Sequence, residues 1–97
     1  MLTILFSMTI REGMAAEFVE LAREMMRSTH AQDEGCIAYT IHAKEGAPRE
    51  FVLYEQWRDQ SSVEKHLQRL LAEVGRERFV AFFEKTEAVR LTPIEVK

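Results

Sequence analysis

The stretch that decides the fold is "FVLYEQWRDQSSVEKH", residues 51–66. Its first half is rich in aromatic and apolar residues, which is typical of a strand, and a helical pattern follows. Because the side chains of a strand alternate between its faces, every second residue shares a face. One face of this strand carries Phe51, Leu53, Glu55 and Trp57. A carboxylate therefore stands between large apolar groups, and His66 follows one turn into the helix.

Apolar periodicity outside this stretch predicts the remaining elements. "LTILFSMTI" predicts a strand with Ile4, Phe6, Met8 and Ile10 on one face, and a helical period follows it. Asp59, Ser61 or Ser62 can cap the second helix, and Gly75 is expected to end it. The predicted strands are residues 2–10, 36–44, 50–58 and 87–96, and the predicted helices are residues 13–30, 62–75 and 76–85.

The resulting order, β-α-β-β-α-α-β, favours a ferredoxin-like α+β sandwich with helices on one face of an antiparallel sheet. We found no linker or internal repeat, so the sequence predicts a single domain over residues 1–97. A chain this short buries only about two-thirds of its unfolded surface, which makes oligomerisation a reasonable expectation.

The central hairpin is apolar on both faces. If Tyr39 lies opposite Tyr54, the face away from Trp57 carries Ile37, Tyr39, Ile41, Val52 and Tyr54. Helices can cover only one face, and an exposed face of an antiparallel sheet is usually polar. We therefore predict a homodimer in which two copies of this second face pair.

Charge and composition exclude several classes of protein. The formal net charge of −3 argues against nucleic-acid or anionic-membrane partners, which require a basic patch. The single cysteine, Cys36, cannot form an intrachain disulfide and fits a reducing compartment. The sequence shows no signal-peptide pattern and no run of ~18 apolar residues, so we expect a cytoplasmic protein.

The sequence contains no local catalytic or metal-binding motif. Its three histidines, His30, His42 and His66, are far apart, and no metal or cofactor is predicted. Glu55 and His66 allow two interpretations. Both can be structural, with Glu55 paired to an arginine or a backbone end and His66 bordering the core. Alternatively, His66 moves a proton in a pocket walled by Trp57 and Leu53.

These residues resemble a known family. "EGC" at 34–36, Tyr39, "LYEQW" at 53–57, Asp59 and His66 are similar to the antibiotic biosynthesis monooxygenase superfamily, in particular to small bacterial quinol-monooxygenase-like proteins. The resemblance covers nearly the whole chain. It implies a dimeric α+β barrel and oxygenation of phenols or quinols by O₂, the co-substrate, without metal, flavin or haem. Trp57 matches a tryptophan that lines the cavity in some members.

The chain departs from the family pattern at several positions. Leu53 stands where some relatives carry an asparagine facing the substrate. Haem-degrading relatives use an asparagine on the first strand and a histidine on a later helix, whereas this chain has Ser7 and Arg78 there. The resemblance therefore does not imply haem degradation. Arg76 and Arg78 are either binding groups for an acidic or phenolate ligand or solvated charges.

We therefore predict a cofactor-independent monooxygenase acting on a small phenolic or quinol-like compound. His66 is the predicted base or orienting group, Trp57 a stacking wall, and Glu55 the residue that holds His66 or another cavity group. The predicted substrate-binding residues are Leu53, Val63, Phe51 and Arg78. Two alternatives stay open at this point: a proton-transfer enzyme such as an isomerase acting on a small metabolite, and a non-catalytic ligand-binding dimer.

Overall fold

The computed structural model of the chain describes residues 1–96. It has four strands and three helices in the predicted order. The elements are β1 (Leu2–Ile10), α1 (Ala15–Gln32), β2 (Cys36–Ala43), β3 (Glu50–Trp57), α2 (Gln60–Val74), α3 (Arg76–Ala81) and β4 (Phe83–Leu91). The single-domain prediction extends to residue 97, which lies outside the described residues.

The strands form one antiparallel sheet in the order β2-β3-β1-β4. The helices cover one face, here called the inner face. On β1 and β3 it carries Ile4, Phe6, Met8, Ile10, Phe51, Leu53, Glu55 and Trp57. Phe18 of α1 packs on Phe51 with ring centroids 4.9 Å apart, so the main core lies between α1 and this face. The architecture confirms the ferredoxin-like α+β fold and the predicted inner face of β1.

The predicted pairing of Tyr39 with Tyr54 is wrong by one residue. Tyr39 lies opposite Glu55, and Ile41 lies opposite Leu53. The hairpin loop sets this register, since the Lys44 N–H donates to the Glu50 carbonyl at 3.0 Å and closes a five-residue connection. Residues directly opposite each other share a face of the sheet, so Tyr39 and Ile41 belong to the inner face.

This shift changes the predicted dimerisation surface. Tyr39 is only 2% exposed and is part of the chain's own core, and Ile41 packs against that core. Ile37 falls at a β-bulge between Cys36 and Ala38 and is exposed. The face away from the helices, here called the outer face, keeps Val52 and Tyr54 and adds Leu5, Val89 and Leu91 from the other strands.

Three predicted boundaries at the end of the chain are wrong. The third helix ends at Ala81 rather than at 85, and β4 spans Phe83–Leu91 rather than 87–96. Phe83 enters the sheet because it pairs with Ile10 and its ring meets that of Phe79 edge to face at 4.9 Å. The strand ends at Leu91, before Pro93, which has no N–H to continue the ladder.

The second helix begins and ends close to the predicted positions. Asp59 is its N-cap, and its carboxylate accepts hydrogen bonds from the Ser62 N–H and hydroxyl at 2.9 and 2.7 Å. Gly75 follows the last helical residue with φ of +91°, a conformation that a residue with a Cβ adopts at a cost. Across residues 1–96, no helix combines the length and apolar character that crossing a membrane requires.

Candidate functional site

A cavity of about 210 Å³ lies between the inner face and helices α2 and α3. Its lining is mostly apolar and comprises Ile4, Phe6, Tyr39, Leu53, Glu55, Val63, His66, Leu67, Leu70, Phe79 and Ala88. Sites that bind drug-sized ligands are commonly ~300–1,000 Å³. The cavity therefore suits a compound smaller than a typical drug, with two ionisable groups, Glu55 and His66, and the Tyr39 side chain in its wall.

Four of the seven predicted site residues line this cavity: Leu53, Glu55, Val63 and His66. The other three do not. Trp57 is fully buried and stands behind His66 rather than in the wall, and Phe51 packs against Phe18 in the core. Arg78 is exposed on α3, where it borders a separate small cleft on the α1 side. The catalytic and binding roles of all seven residues stay predictions.

His66 is held on three sides. It lies on the second turn of α2 and is 2% exposed. Its Nδ1 is 2.6 Å from the Asp33 Oδ2. Its ring is tilted against Trp57 with centroids 4.6 Å apart, and it meets Tyr39 edge to face at 5.0 Å. These contacts fix the imidazole and leave Nε2 as the ring nitrogen available to a ligand in the cavity.

Asp33, the first residue after α1, is held in turn by Arg69 of α2. Arg69 Nε donates to Oδ1 at 2.8 Å and Nη2 donates to Oδ2 at 2.9 Å, a bidentate pair. The remaining arm, Nη1, contacts Glu73 at 2.5 Å. Burial alone would raise the pKa of Asp33, but the hydrogen bonds and charges of Arg69 and His66 outweigh it and lower the pKa. Asp33 is therefore ionised at neutral pH.

Burial shifts the titration of His66. It lowers the pKa of the imidazole below its ordinary 6.5, and the hydrogen bond and charge of Asp33 oppose this shift without cancelling it. His66 is therefore neutral at pH 7. An ionised carboxylate only accepts hydrogen bonds, so the single imidazole proton lies on Nδ1 and Nε2 carries a free lone pair. A ring nitrogen with a free lone pair can accept a proton from a ligand.

Glu55 binds Trp57 and not His66, the first of the partners proposed for it. Its Oε1 accepts a hydrogen bond from the Trp57 indole Nε1 at 2.6 Å, whereas His66 is bound by Asp33. Glu55 thus reaches His66 only through the indole that stacks on it. Burial raises the pKa of Glu55 above its ordinary 4.5, although the hydrogen bond from Trp57 opposes that shift. This answers why a carboxylate sits among apolar groups, since it satisfies a buried indole N–H.

Sequence reasoning missed three residues of the site. Asp33 stands in "HAQDEG", which reads only as the end of a helix, and Tyr39 was assigned to the wrong face by the register error. Arg69 could have been predicted to lie near His66, because a residue three positions further along a helix lies on the same side of it. Within residues 1–96, no cluster of three or more His, Cys, Asp or Glu side chains has metal-binding geometry.

Comparison with known proteins identifies the family. The sequence profile of the antibiotic biosynthesis monooxygenase family matches residues 1–85. The chain belongs to that family. A comparison with curated proteins gives no match.

Solved structures show the same fold at low sequence identity. The Pseudomonas aeruginosa protein PA3566 has a TM-score of 0.85 at 22% identity, covering 97% of this chain and 94% of its own. Two proteins that carry the family name show the same likeness. One, from Bacteroides thetaiotaomicron, has a TM-score of 0.87 at 15% identity, with 99% and 95% coverage. The other, from Nitrosomonas europaea, has a TM-score of 0.81 at 17% identity, with 98% and 100% coverage.

Proposed function

We propose that this family member is a cofactor-independent monooxygenase that oxidises a small phenol or quinol with O₂ in the cavity beside His66. One observation carries the proposal: His66 lines a small apolar cavity while Asp33 binds its Nδ1, which leaves Nε2 as the ring nitrogen for a ligand. Two structural relatives bear the name of antibiotic biosynthesis monooxygenases, which supports this class of reaction. The single cysteine fits a reducing compartment, so we propose that the protein acts in the cytoplasm.

The first step of the proposed reaction is a proton transfer. The phenol O–H bond breaks, an N–H bond forms at His66 Nε2, and the substrate becomes an electron-rich phenolate. An apolar site destabilises this anion relative to water and favours its oxidation. O₂ is then reduced by electrons from the substrate. One oxygen atom bonds to a ring carbon, and the other leaves as water with two hydrogen atoms of the substrate.

The lining of the cavity restricts the substrate. Among the described residues, no lysine or arginine lines it, and the nearby Arg69 is already bound to Asp33 and Glu73. A carboxylate or phosphate group buried there would have no cation to pair with, at a cost of several kcal/mol. We therefore propose an uncharged substrate with one or two aromatic rings.

The test is oxygen uptake by the purified protein with a panel of uncharged hydroquinones and naphthols. We expect turnover that persists in metal-free protein, verified by elemental analysis. His66→Ala should lower kcat about 10²-fold or more, which is the usual size of a general-base contribution. His42→Ala is the matched control, because His42 is exposed on β2 and bonds only the Val52 carbonyl. Ligand binding without oxygen uptake would instead support a ligand-binding dimer.

A further inference from the structure

We propose that Asp33 is a positioning residue for His66, that it fixes the proton on Nδ1 so that Nε2 faces the cavity as a base, and that Arg69 locks Asp33 in this orientation. The effect on turnover rests on the proposed function, whereas the effect on the imidazole does not.

The geometry distinguishes this arrangement from a surface ion pair. Asp33 and His66 are 33 residues apart in sequence, one just after α1 and the other in α2, so their 2.6 Å contact is a product of the fold. Both side chains are buried, at 8% and 2% exposure. The Asp33 carboxylate uses both oxygens, since Arg69 binds Oδ1 and Oδ2 while His66 binds Oδ2. A carboxylate held at both oxygens cannot rotate away from the imidazole.

The chemistry requires a carboxylate at this position. A neutral imidazole has one N–H donor and one acceptor, and the group bound at one nitrogen decides which nitrogen carries the proton. Ionised Asp33 accepts only, so it requires N–H at Nδ1. When Nε2 takes a proton from a ligand hydroxyl, the imidazolium that forms gains a negative charge at hydrogen-bond distance. Asp33 therefore both sets the tautomer and stabilises the product of the proton transfer.

Four ionisable or charged groups surround His66. Asp33 approaches from the end of α1, Arg69 from α2, Tyr39 from β2 and Glu55 from β3. Of the groups that shift the His66 pKa, Asp33 raises it, whereas Arg69 and burial lower it. Removing the charge of Asp33 should therefore lower the pKa of His66 further. It should also allow either ring nitrogen to carry the proton, because an asparagine can donate to Nδ1 as well as accept from it.

The experiment is ¹⁵N NMR of the histidine side chains of the whole protein across pH 4–9, in which two-bond proton–nitrogen correlations report each tautomer. In the wild-type protein we expect His66 as the Nδ1–H tautomer at neutral pH. Asp33→Asn should add the Nε2–H tautomer and move the His66 titration to lower pH. Glu34→Gln is the matched control, since it removes an adjacent exposed carboxylate and should leave both readouts unchanged.

Turnover is a second readout. Asp33→Asn should lower kcat on the order of 10²-fold or more with a smaller change in KM, as expected when a base is held in the wrong tautomer. An Nε2–H tautomer in the wild-type protein would overturn the proposal, and that measurement needs no variant to fold. Unchanged tautomer and titration in folded Asp33→Asn would overturn it too. If NMR gives the expected tautomers but no substrate causes oxygen uptake, the positioning role of Asp33 is supported. Only the proposed monooxygenase function is then contradicted.

Discussion

At the scale of single residues, Glu55 and His66 show how burial sets the charge of the site. Burial raises the pKa of the carboxyl group and lowers the pKa of the imidazole, so it favours the uncharged form of each. The charges that the fold does bury, on Asp33 and Arg69, neutralise each other behind His66. Among the described residues, no cation lines the cavity, in keeping with an uncharged substrate.

The raised pKa of Glu55 predicts a specific dependence of stability on pH. The folded state binds the Glu55 proton more tightly than the unfolded state. The free energy that this tighter proton binding adds to folding is therefore fully present below the ordinary pKa of 4.5. It is lost as the pH rises through the pKa of Glu55 in the folded state. Glu55→Gln keeps an acceptor for the Trp57 indole and cannot ionise. We expect its unfolding free energy, relative to that of the wild-type protein, to increase from pH 4.5 to pH 8 in urea titrations.

The control for this prediction is Glu64→Gln. Glu64 is an exposed carboxylate on α2, away from the outer face, so neutralising it should leave the pH profile of the unfolding free energy close to that of the wild-type protein. If the difference between Glu55→Gln and the wild-type protein were the same at both pH values, the carboxyl group of Glu55 would not be perturbed by burial.

At the scale of secondary-structure elements, local patterns predicted most of the fold. The alternation in β1 and β3 correctly assigned their inner faces, and Gly75 correctly marked the end of α2. The register of β2 on β3 could not be obtained this way. It depends on how many residues the hairpin loop spans, and a slip of one residue moves every side chain of a strand to the other face. Tyr39 was misplaced for this reason alone.

The candidate site was predictable only in part, for a related reason. His66 and Glu55 stand out because a polar group interrupts an apolar pattern, which the sequence displays. The Asp33–His66 contact joins the end of α1 to α2 across 33 residues. The periodicity of a single helix does not predict how that helix packs on another. Nearby in the chain, Gly35 just before β2 closely approaches Ser62 at the start of α2.

This close approach gives a prediction for the α2 N-terminus. A Cβ added at Gly35 would lie 2.0 Å from the Ser62 Oγ and 2.3 Å from its Cβ, so Gly35→Ala forces the two segments apart. Overpacking of this kind typically costs about 1–3 kcal/mol of unfolding free energy. The nearest remaining atom after Ser62→Gly would be the Cα at 3.7 Å, an ordinary contact. We therefore expect Ser62→Gly to rescue much of the loss.

The matched control is Ser62→Ala, which removes the hydroxyl but keeps the Cβ that causes the clash. Urea unfolding of the single and double variants forms two double-mutant cycles. The cycle that combines Gly35→Ala with Ser62→Gly should show a favourable coupling energy. The cycle that combines Gly35→Ala with Ser62→Ala should show a clearly smaller one. Equal coupling in the two cycles would mean that the Cβ–Cβ contact does not limit the approach of α2.

At the scale of the whole molecule, no element within residues 1–96 covers the outer face. Leu5, Val52 and Tyr54 are partly buried at its centre, and Val89 and Leu91 on β4 are each 41% exposed. This surface differs from the predicted one, because Tyr39 and Ile41 already serve the chain's own core. A second copy remains the partner we propose for it, since a symmetric pairing lets each sheet cover the other.

The surface of that dimer can be tested with two equivalent substitutions. Val89 projects from β4 onto the outer face at 41% exposure, and Val80 lies on α3, away from that face, at 55% exposure. Val89→Asp would place a carboxylate in an interface that should bury ~1,600 Å² or more in total, at a cost sufficient to weaken association strongly. Sedimentation at micromolar concentration should show dimers for the wild-type protein and Val80→Asp, and mainly monomers for Val89→Asp. Because both variants expose the same charge on an already accessible valine, a general loss of stability would affect the two alike. A monomeric wild-type protein, or a Val89→Asp variant that remains dimeric, would rule out the outer face as the contact.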